Sequence, residues 1–289
     1  MYFVHEGDIG QPQRWASYAW KRAIRIYPFF WFVLAIHAAN LGASGNVSLH
    51  QLLLSSVLWP QASTTLLVQQ SWTLSHEMLF YILFGVAILN RELGIVVFGC
   101  WAAVRLGAIP SATPEVADDM LRSPHNMLFY LGMVVGWLLA RWNIPAPRLV
   151  AGLGGLGFLM AGLMENAGFT IQNSTVSIIL FGISSAVLLL GMVSAERAGL
   201  LRTGRLGRLM GQVSYPLYLM IHIFVLSVVL AAMVALDVHS HGSLQLVGYT
   251  VLSWLVALAL HRLIERPIGA ALNELRLRWL ARRNMVEAA

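Results

Sequence analysis

The chain consists of long, unbroken runs of apolar residues that are separated by short polar segments. Apolar and polar residues do not alternate along these runs, as they would in the strands of a membrane barrel. A helix needs about 20 apolar residues to cross a bilayer, and a shorter run can be extended by its flanks. The pattern therefore predicts an all-α, polytopic transmembrane helical bundle with eight spans, at residues 24–41, 74–89, 93–109, 127–140, 149–164, 176–193, 213–236 and 244–263.

Basic residues are distributed very unequally between the two sides that these spans define. With the N-terminus in the cytoplasm, 17 of the 19 lysines and arginines fall on the cytoplasmic side, and only Arg105 and Arg122 fall on the other. Cytoplasmic loops of membrane proteins carry such an excess, so both termini are predicted to be cytoplasmic. The longest outward loop, 42–73, contains an apolar stretch at 49–59 that we expect to form a short helix at the interface.

Composition agrees with a membrane protein. The chain of 289 residues is 58% apolar and 11% charged, and its mean hydropathy is +0.69, whereas soluble domains carry about 25% charged residues. The net charge of +6 arises between the apolar runs, which favours contact with the lipid bilayer over nucleic-acid binding. Residues 1–264 are interpreted as one membrane domain and residues 265–289 as a basic, amphipathic cytoplasmic tail. The glycine-rich stretch 152–157 is typical of close helix packing.

Glu77 is the only acidic residue that falls well inside a predicted span. A carboxylate within a bilayer is costly, so it usually has polar partners or lines a wet cavity. Tyr81 lies four residues further along on the same helix face, whereas His76 points about 100° away. Glu77 could hydrogen-bond neighbouring helices and lock the bundle. It could instead be functional if an arginine or histidine from another helix approaches it.

Arg22 and Arg25 lie three residues apart at the cytoplasmic start of the first span. A helix puts residues with this spacing on neighbouring positions of one face. Guanidinium groups bind phosphate in a forked geometry, so the pair is a candidate site for a phosphate-bearing ligand. The alternative is a pair of membrane anchors whose side chains extend to the inner interface.

Two further segments contain polar groups within or at the end of a span. His222 follows the segment SYPLYL at 214–219 and lies inside the seventh span, where a histidine is more often a packing residue than a catalyst. The segment ERP at 265–267 is expected to end the last span, because proline commonly follows a helix end. No spacing of histidine, cysteine or carboxylate residues predicts a metal site. The single cysteine, Cys100, cannot form an internal disulfide.

The order of these segments resembles the acyltransferase-3 family of membrane O-acyltransferases. The similarity is carried by KRAIRIYP at 21–28, by SWTLSHE at 71–77 with FY at 80–81, by FYLGM at 129–133, by SYPLYL at 214–219 with His222, and by ERP at 265–267. Each motif alone is loose. Their order and spacing over nearly the whole chain make the match specific.

The resemblance implies a bacterial inner-membrane enzyme that moves an acetyl or other short acyl group from a cytoplasmic acyl-CoA, with acetyl-CoA the expected donor. The acceptor would be a hydroxyl of lipopolysaccharide, another cell-surface carbohydrate or a glycolipid. By the same resemblance, Arg22 and Arg25 would bind the donor, and Glu77 would be catalytic with His222 as a second candidate. The substrate chamber would be lined by Trp72, Ser75, Tyr81 and Tyr215. No bound cofactor, metal ion or nucleic acid is expected.

One departure from the family pattern bears on activity. Family members usually have ten spans, and this chain matches the last eight. The first span of the family carries an arginine and the histidine thought to act as the base. His5 is followed by the polar stretch 6–14, so it is not expected to replace that histidine. Because general base catalysis contributes about 10²–10⁴-fold to a rate, the hypothesis is that this chain is poorly active or inactive, as a truncated gene product or a natural remnant.

Two other functions stay open at this point. A protein that exports polysaccharide or lipid would be expected to show internal repeats and charges near the membrane midplane. No convincing repeat is found, and the charges lie at span ends. A non-catalytic scaffold is the second possibility. Binding of a coenzyme A analogue that depends on Arg22 and Arg25 would favour the transferase over both.

Overall fold

A computed structural model of the chain describes residues 5–42, 47–59, 66–107, 120–220, 231 and 242–287. Every regular element within these residues is helical, which confirms the predicted all-α fold. The α-helices are α1 Trp15–Gly42, α2 Leu49–Ser56, α3 Trp72–Leu89, α4 Arg91–Leu106, α5 Asn126–Arg141, α6 Pro147–Asn166, α7 Thr175–Arg197, α8 Arg205–Met220, α9 Gly242–Leu260 and α10 Arg266–Glu287. Short 3₁₀ turns lie at Glu6–Asp8, Pro12–Arg14 and Gln69–Ser71, and a π-helical turn, His261–Glu265, joins α9 to α10.

Several of these helices have the length and apolar character of membrane spans. Within the described residues, five stretches meet both conditions: Pro12–Leu41, Gln69–Leu89, Pro147–Asn166, Thr175–Arg197 and Val247–Trp279. The α5 helix is apolar but shorter. The predicted span 93–109 falls on α4, which is 16 residues long, and the predicted span 213–236 begins on α8 and continues outside the described residues. The chain is a membrane protein, while the count of eight spans and the cytoplasmic termini stay predictions.

The helix that contains ERP does not end there, contrary to the expectation from the sequence. The α9 helix passes through the π-turn into α10, in which Pro267 is the second residue. Proline lacks the N–H that would donate to the preceding turn, and the π-helical turn lies directly before Pro267, where the regular α-helical bonding is already interrupted. The helix therefore continues past ERP to Glu287, and the end of the last membrane span at ERP stays a prediction.

The chain folds as two compact units, of which the first comprises Met1–Ala16, Pro60–Ser63 and Ser75–Gly204. Within it, α6 and α7 approach each other closely. A Cβ atom at Gly154 would overlap the backbone of Leu188, and a Cβ atom at Gly191 would overlap the backbone of Ala151. Small residues allow membrane helices to reach backbone contact in this way. The predicted packing role of the glycine-rich stretch is confirmed at Gly154.

The second unit comprises Ser17–Trp59, Thr64–Leu74 and Arg205–Ala289. Its α2 helix is the short helix expected in the first loop, and the Ser48 side chain caps it by accepting a hydrogen bond from the Gln51 amide. Tyr27 and Trp31 of α1 donate to backbone carbonyls at the end of α2, over 3.2 and 2.8 Å. These bonds attach the loop helix to α1.

Candidate functional site

Glu77 lies in the second turn of α3 and accepts a hydrogen bond from the Tyr81 hydroxyl one turn later. Tyr81 is buried, whereas Glu77 is partly exposed. The contact that the i, i+4 spacing predicts is therefore formed. A phenol that donates to a carboxylate orients it and offsets part of the cost of burying its charge. A carboxylate held in this way can accept a proton from a hydroxyl group.

The neighbouring His76 faces a second histidine. Its ring meets that of His125 edge to face, with the ring centroids 6.2 Å apart. His125 immediately precedes α5, and its Nδ1 lies 3.1 Å from Ser123 Oγ. Burial lowers the pKa of His125 to about 4, and the nearby His76 adds to this effect. The His125 side chain is therefore neutral near pH 7.

A cavity of about 480 Å³ in the second unit has a basic wall. Lys21 and Arg25 of α1 contribute to it together with Arg266, the first residue of α10. All three side chains are exposed. The polar lining also includes His261, Glu265 and Asn273. Three permanent cations and one carboxylate make the wall attractive to a polyanion.

Arg22 differs from Arg25 despite their predicted common face. The guanidinium of Arg22 lies over the Tyr18 ring, 5.7 Å from its centroid. Only Arg25 of the pair is among the described residues that line the basic cavity. The structure thus brings Arg25 together with Arg266 of the ERP motif, although they are 241 positions apart in the sequence.

The π-turn supplies an ordered histidine to the same cavity. His261 Nδ1 lies 2.7 Å from Glu265 Oε2, across one turn of the helix. A carboxylate bound at one ring nitrogen fixes the orientation of an imidazole. Turns of the π type are frequent at functional sites. The sequence did not indicate His261, because π geometry has no simple residue pattern. Lys21 belongs to the KRAIRIYP motif but was not predicted to bind a ligand.

The SYPLYL motif contacts the start of the SWTLSHE motif within the second unit. Tyr218 of the SYPLYL segment donates to the Gln70 carbonyl and accepts from the Thr73 hydroxyl, each over 2.8 Å. Tyr215 donates to the Ile26 carbonyl of α1 over 2.8 Å, and its ring meets that of Phe29 at 5.7 Å. Both tyrosines therefore hold α8 against neighbouring backbone.

The other predicted site residues differ in their exposure and in the unit to which they belong. Trp72 is partly exposed and Ser75 is buried at the start of α3. Glu77, Ser75 and Tyr81 belong to the first unit. Arg22, Arg25, Trp72 and Tyr215 belong to the second. His222 lies outside the described residues, so its role stays a prediction.

The helices and cavities described above define a polytopic membrane protein with a basic cavity in its second unit. The family model described as Acyltransferase domain matches residues 2–262, so the chain belongs to the acyltransferase-3 family. A curated relative is the exopolysaccharide production protein ExoZ of Rhizobium meliloti (strain 1021). It is 30% identical over 264 residues, which cover 86% of this chain and 79% of the relative. No solved structure matches the chain. The family resemblance found in the sequence motifs is confirmed.

Proposed function

We propose that this protein transfers an acetyl or other short acyl group from acyl-CoA to a hydroxyl of a cell-surface polysaccharide or glycolipid, in a bacterial inner membrane. The observation that carries the proposal is the basic cavity of Lys21, Arg25 and Arg266, in a chain of an acyltransferase family. The name of the Rhizobium relative refers to exopolysaccharide production, which supports a carbohydrate acceptor. Family membership favours an enzyme over an export protein or a scaffold.

The basic cavity suits the charge of the donor. Coenzyme A carries a pyrophosphate and a 3′-phosphate, and the three cations of the wall can each bind a phosphate oxygen. A hydrogen bond to a charged group contributes about 1.5–3 kcal/mol. Because these side chains are exposed to water, the lower value applies, and it corresponds to about tenfold in Kd for each cation. Arg25 would bind the donor directly, whereas the Arg22 guanidinium lies over the Tyr18 ring of the same helix.

The transfer step needs a group that accepts a proton. The acceptor oxygen attacks the thioester carbonyl, a C–O bond forms, the C–S bond breaks, and the coenzyme leaves as its thiol after taking up a proton. In this proposal Glu77, oriented by Tyr81, removes the hydroxyl proton, and His222 is the second candidate. Trp72, Ser75 and Tyr215 are the proposed neighbours of the reacting groups in the chamber.

Donor binding tests the proposal without requiring turnover. Arg25→Gln and Arg266→Gln are each expected to raise the Kd for a non-hydrolysable acetyl-CoA analogue about tenfold, measured by calorimetry on the full chain in lipid nanodiscs. Arg278→Gln is the matched control. Arg278 lies on the same helix as Arg266, is exposed, and is paired with Glu274 over 2.5 Å.

Added salt provides a second comparison. Screening should weaken binding to the wild type more than to either cavity variant, because each variant has lost one charge from the wall. If Arg278→Gln weakens binding as much as the cavity substitutions, the cavity is not the donor site. Absence of any binding to the wild-type chain would contradict the proposed function.

A further inference from the structure

A second cavity, a groove of about 620 Å³, lies beside α5 and α7 in the first unit. Its lining changes character along its length. Polar side chains collect at one end, from His125 before α5, Glu165 near the end of α6, and Gln172, Asn173 and Ser177 around the start of α7. The rest of the groove is mostly apolar and includes Leu131, Val135, Phe181 and Leu189.

The length of the apolar part corresponds to one leaflet of a bilayer. Leu189 lies 12 positions beyond Ser177 on α7. This separation is about 18 Å along a helix axis, close to half of a hydrocarbon core that is about 30 Å thick. A single hydrocarbon chain lying beside α7 would therefore reach from the polar end to about the middle of the membrane.

Basic residues identify which leaflet this is. The opposite ends of the same three helices carry Arg141, Arg148 and Arg197. Arg148 donates to the Leu200 carbonyl over 2.8 Å, and Arg197 donates to the Leu139 carbonyl. Basic residues mark the cytoplasmic ends of membrane helices. The polar end of the groove then faces outward, and its apolar part lies in the outer leaflet.

A glycine opens the apolar part of the groove. Gly132 is exposed on α5, and apart from its chain neighbours and the nearby backbone of its own helix no described atom lies within 4 Å of the position that its Cβ would occupy. Any larger side chain at this position would extend into the groove. The glycine of the FYLGM motif thus leaves space for a ligand beside α5.

The polar end favours one type of head group. Glu165 accepts a hydrogen bond from Ser177, and the amides of Gln172 and Asn173 are on exposed residues. Carboxylate and carboxamide groups bind hydroxyls well. No lysine or arginine is among the described residues that line the groove, and a carboxylate disfavours a lipid phosphate.

We propose that this groove binds a glycolipid of the outer leaflet, with one hydrocarbon chain over Gly132 and an uncharged sugar head at Glu165, Gln172 and Asn173. This lipid would be the acceptor of the acyl group, a role that rests on the proposed function. Binding itself does not require transfer. The groove would hold the acceptor by its chain and present its sugar hydroxyls at the outer surface.

Photocrosslinking of the full chain in nanodiscs tests the site. The probe is a glucosyl diacylglycerol with a diazirine in one acyl chain, and the reference is a phosphatidylglycerol with the same diazirine. Labelled peptides are expected from α5 and α7, and the sugar lipid should label them at least tenfold more than the reference. Gly132→Phe should reduce this labelling at least tenfold. The matched control Gly152→Phe should leave it unchanged, since Gly152 is also exposed, also has open space at its Cβ, and is not among the described groove residues.

The labelling and binding results together decide the question. Equal labelling by both lipids, or labelling that Gly132→Phe does not change, would show only bulk lipid and overturn the proposal. If Gly132→Phe does not fold, Val135→Trp on the same wall replaces it, with the same expected loss. If the wild-type chain does not bind the coenzyme A analogue but its groove is labelled as expected, the proposed function is wrong and the lipid site stands. If the chain binds the analogue but the groove is not labelled as expected, only the proposed lipid site is wrong.

Discussion

Acidification is expected to destabilise the first unit through His125. The pKa of the folded imidazole is about 4, against an ordinary value of 6.5, because of burial first and the nearby His76 second. Between these values the unfolded chain takes up a proton that folded His125 does not. The contribution of neutral His125 to the free energy of unfolding is therefore fully present above pH 6.5 and is lost as the pH falls towards 4. The loss amounts to roughly 2 kcal/mol at pH 5 and roughly 3 kcal/mol below pH 4.

Thermal unfolding at pH 7.5 and pH 5 measures this loss. His125→Gln removes the titrating ring, so the extra fall in the wild-type midpoint isolates the contribution of His125. For a chain of this size, about 2 kcal/mol corresponds to about 4–8 °C. His50→Gln is the control, since His50 is exposed on α2. It should retain the wild-type response to pH. If His125→Gln loses stability on acidification as strongly as the wild type, the assignment to His125 is wrong.

Two further predictions concern packing and the Glu77 carboxylate. Gly191→Leu should destabilise the chain by about 2–3 kcal/mol, because its Cβ would overlap the Ala151 backbone, whereas Gly152→Leu should stay within about 0.5 kcal/mol. Denaturant unfolding compares them, and equal losses would contradict the close approach of α6 and α7. Tyr81→Phe removes a donor from Glu77 and should cost about 1–3 kcal/mol, with coenzyme A binding unchanged. A loss in Tyr81→Phe below about 0.5 kcal/mol would contradict a stabilising hydrogen bond from Tyr81 to Glu77.

The sequence by itself determined the features that depend on near neighbours along the chain. Apolar runs specified the helices, because a bilayer offers no other partner for backbone N–H and C=O groups. The spacing of Glu77 and Tyr81 specified their contact, because helix geometry alone brings i and i+4 together. The glycines at 152–157 indicated close packing, and ordered motifs identified the family. None of these inferences required knowledge of which helices are neighbours.

Tertiary structure decided which distant residues share a site. Arg22 and Arg25 look equivalent in sequence, yet only Arg25 joins Arg266 at the described cavity wall, because α1 turns Arg22 towards Tyr18. His76 meets His125 across 49 positions of chain, which no local period encodes. The continuous helix through Pro267 depends on a π-turn that the sequence pattern does not reveal. The amphipathic groove exists only where helix ends from separate segments meet, since its polar end combines the residue before α5 with the end of α6, the start of α7 and the connection between them.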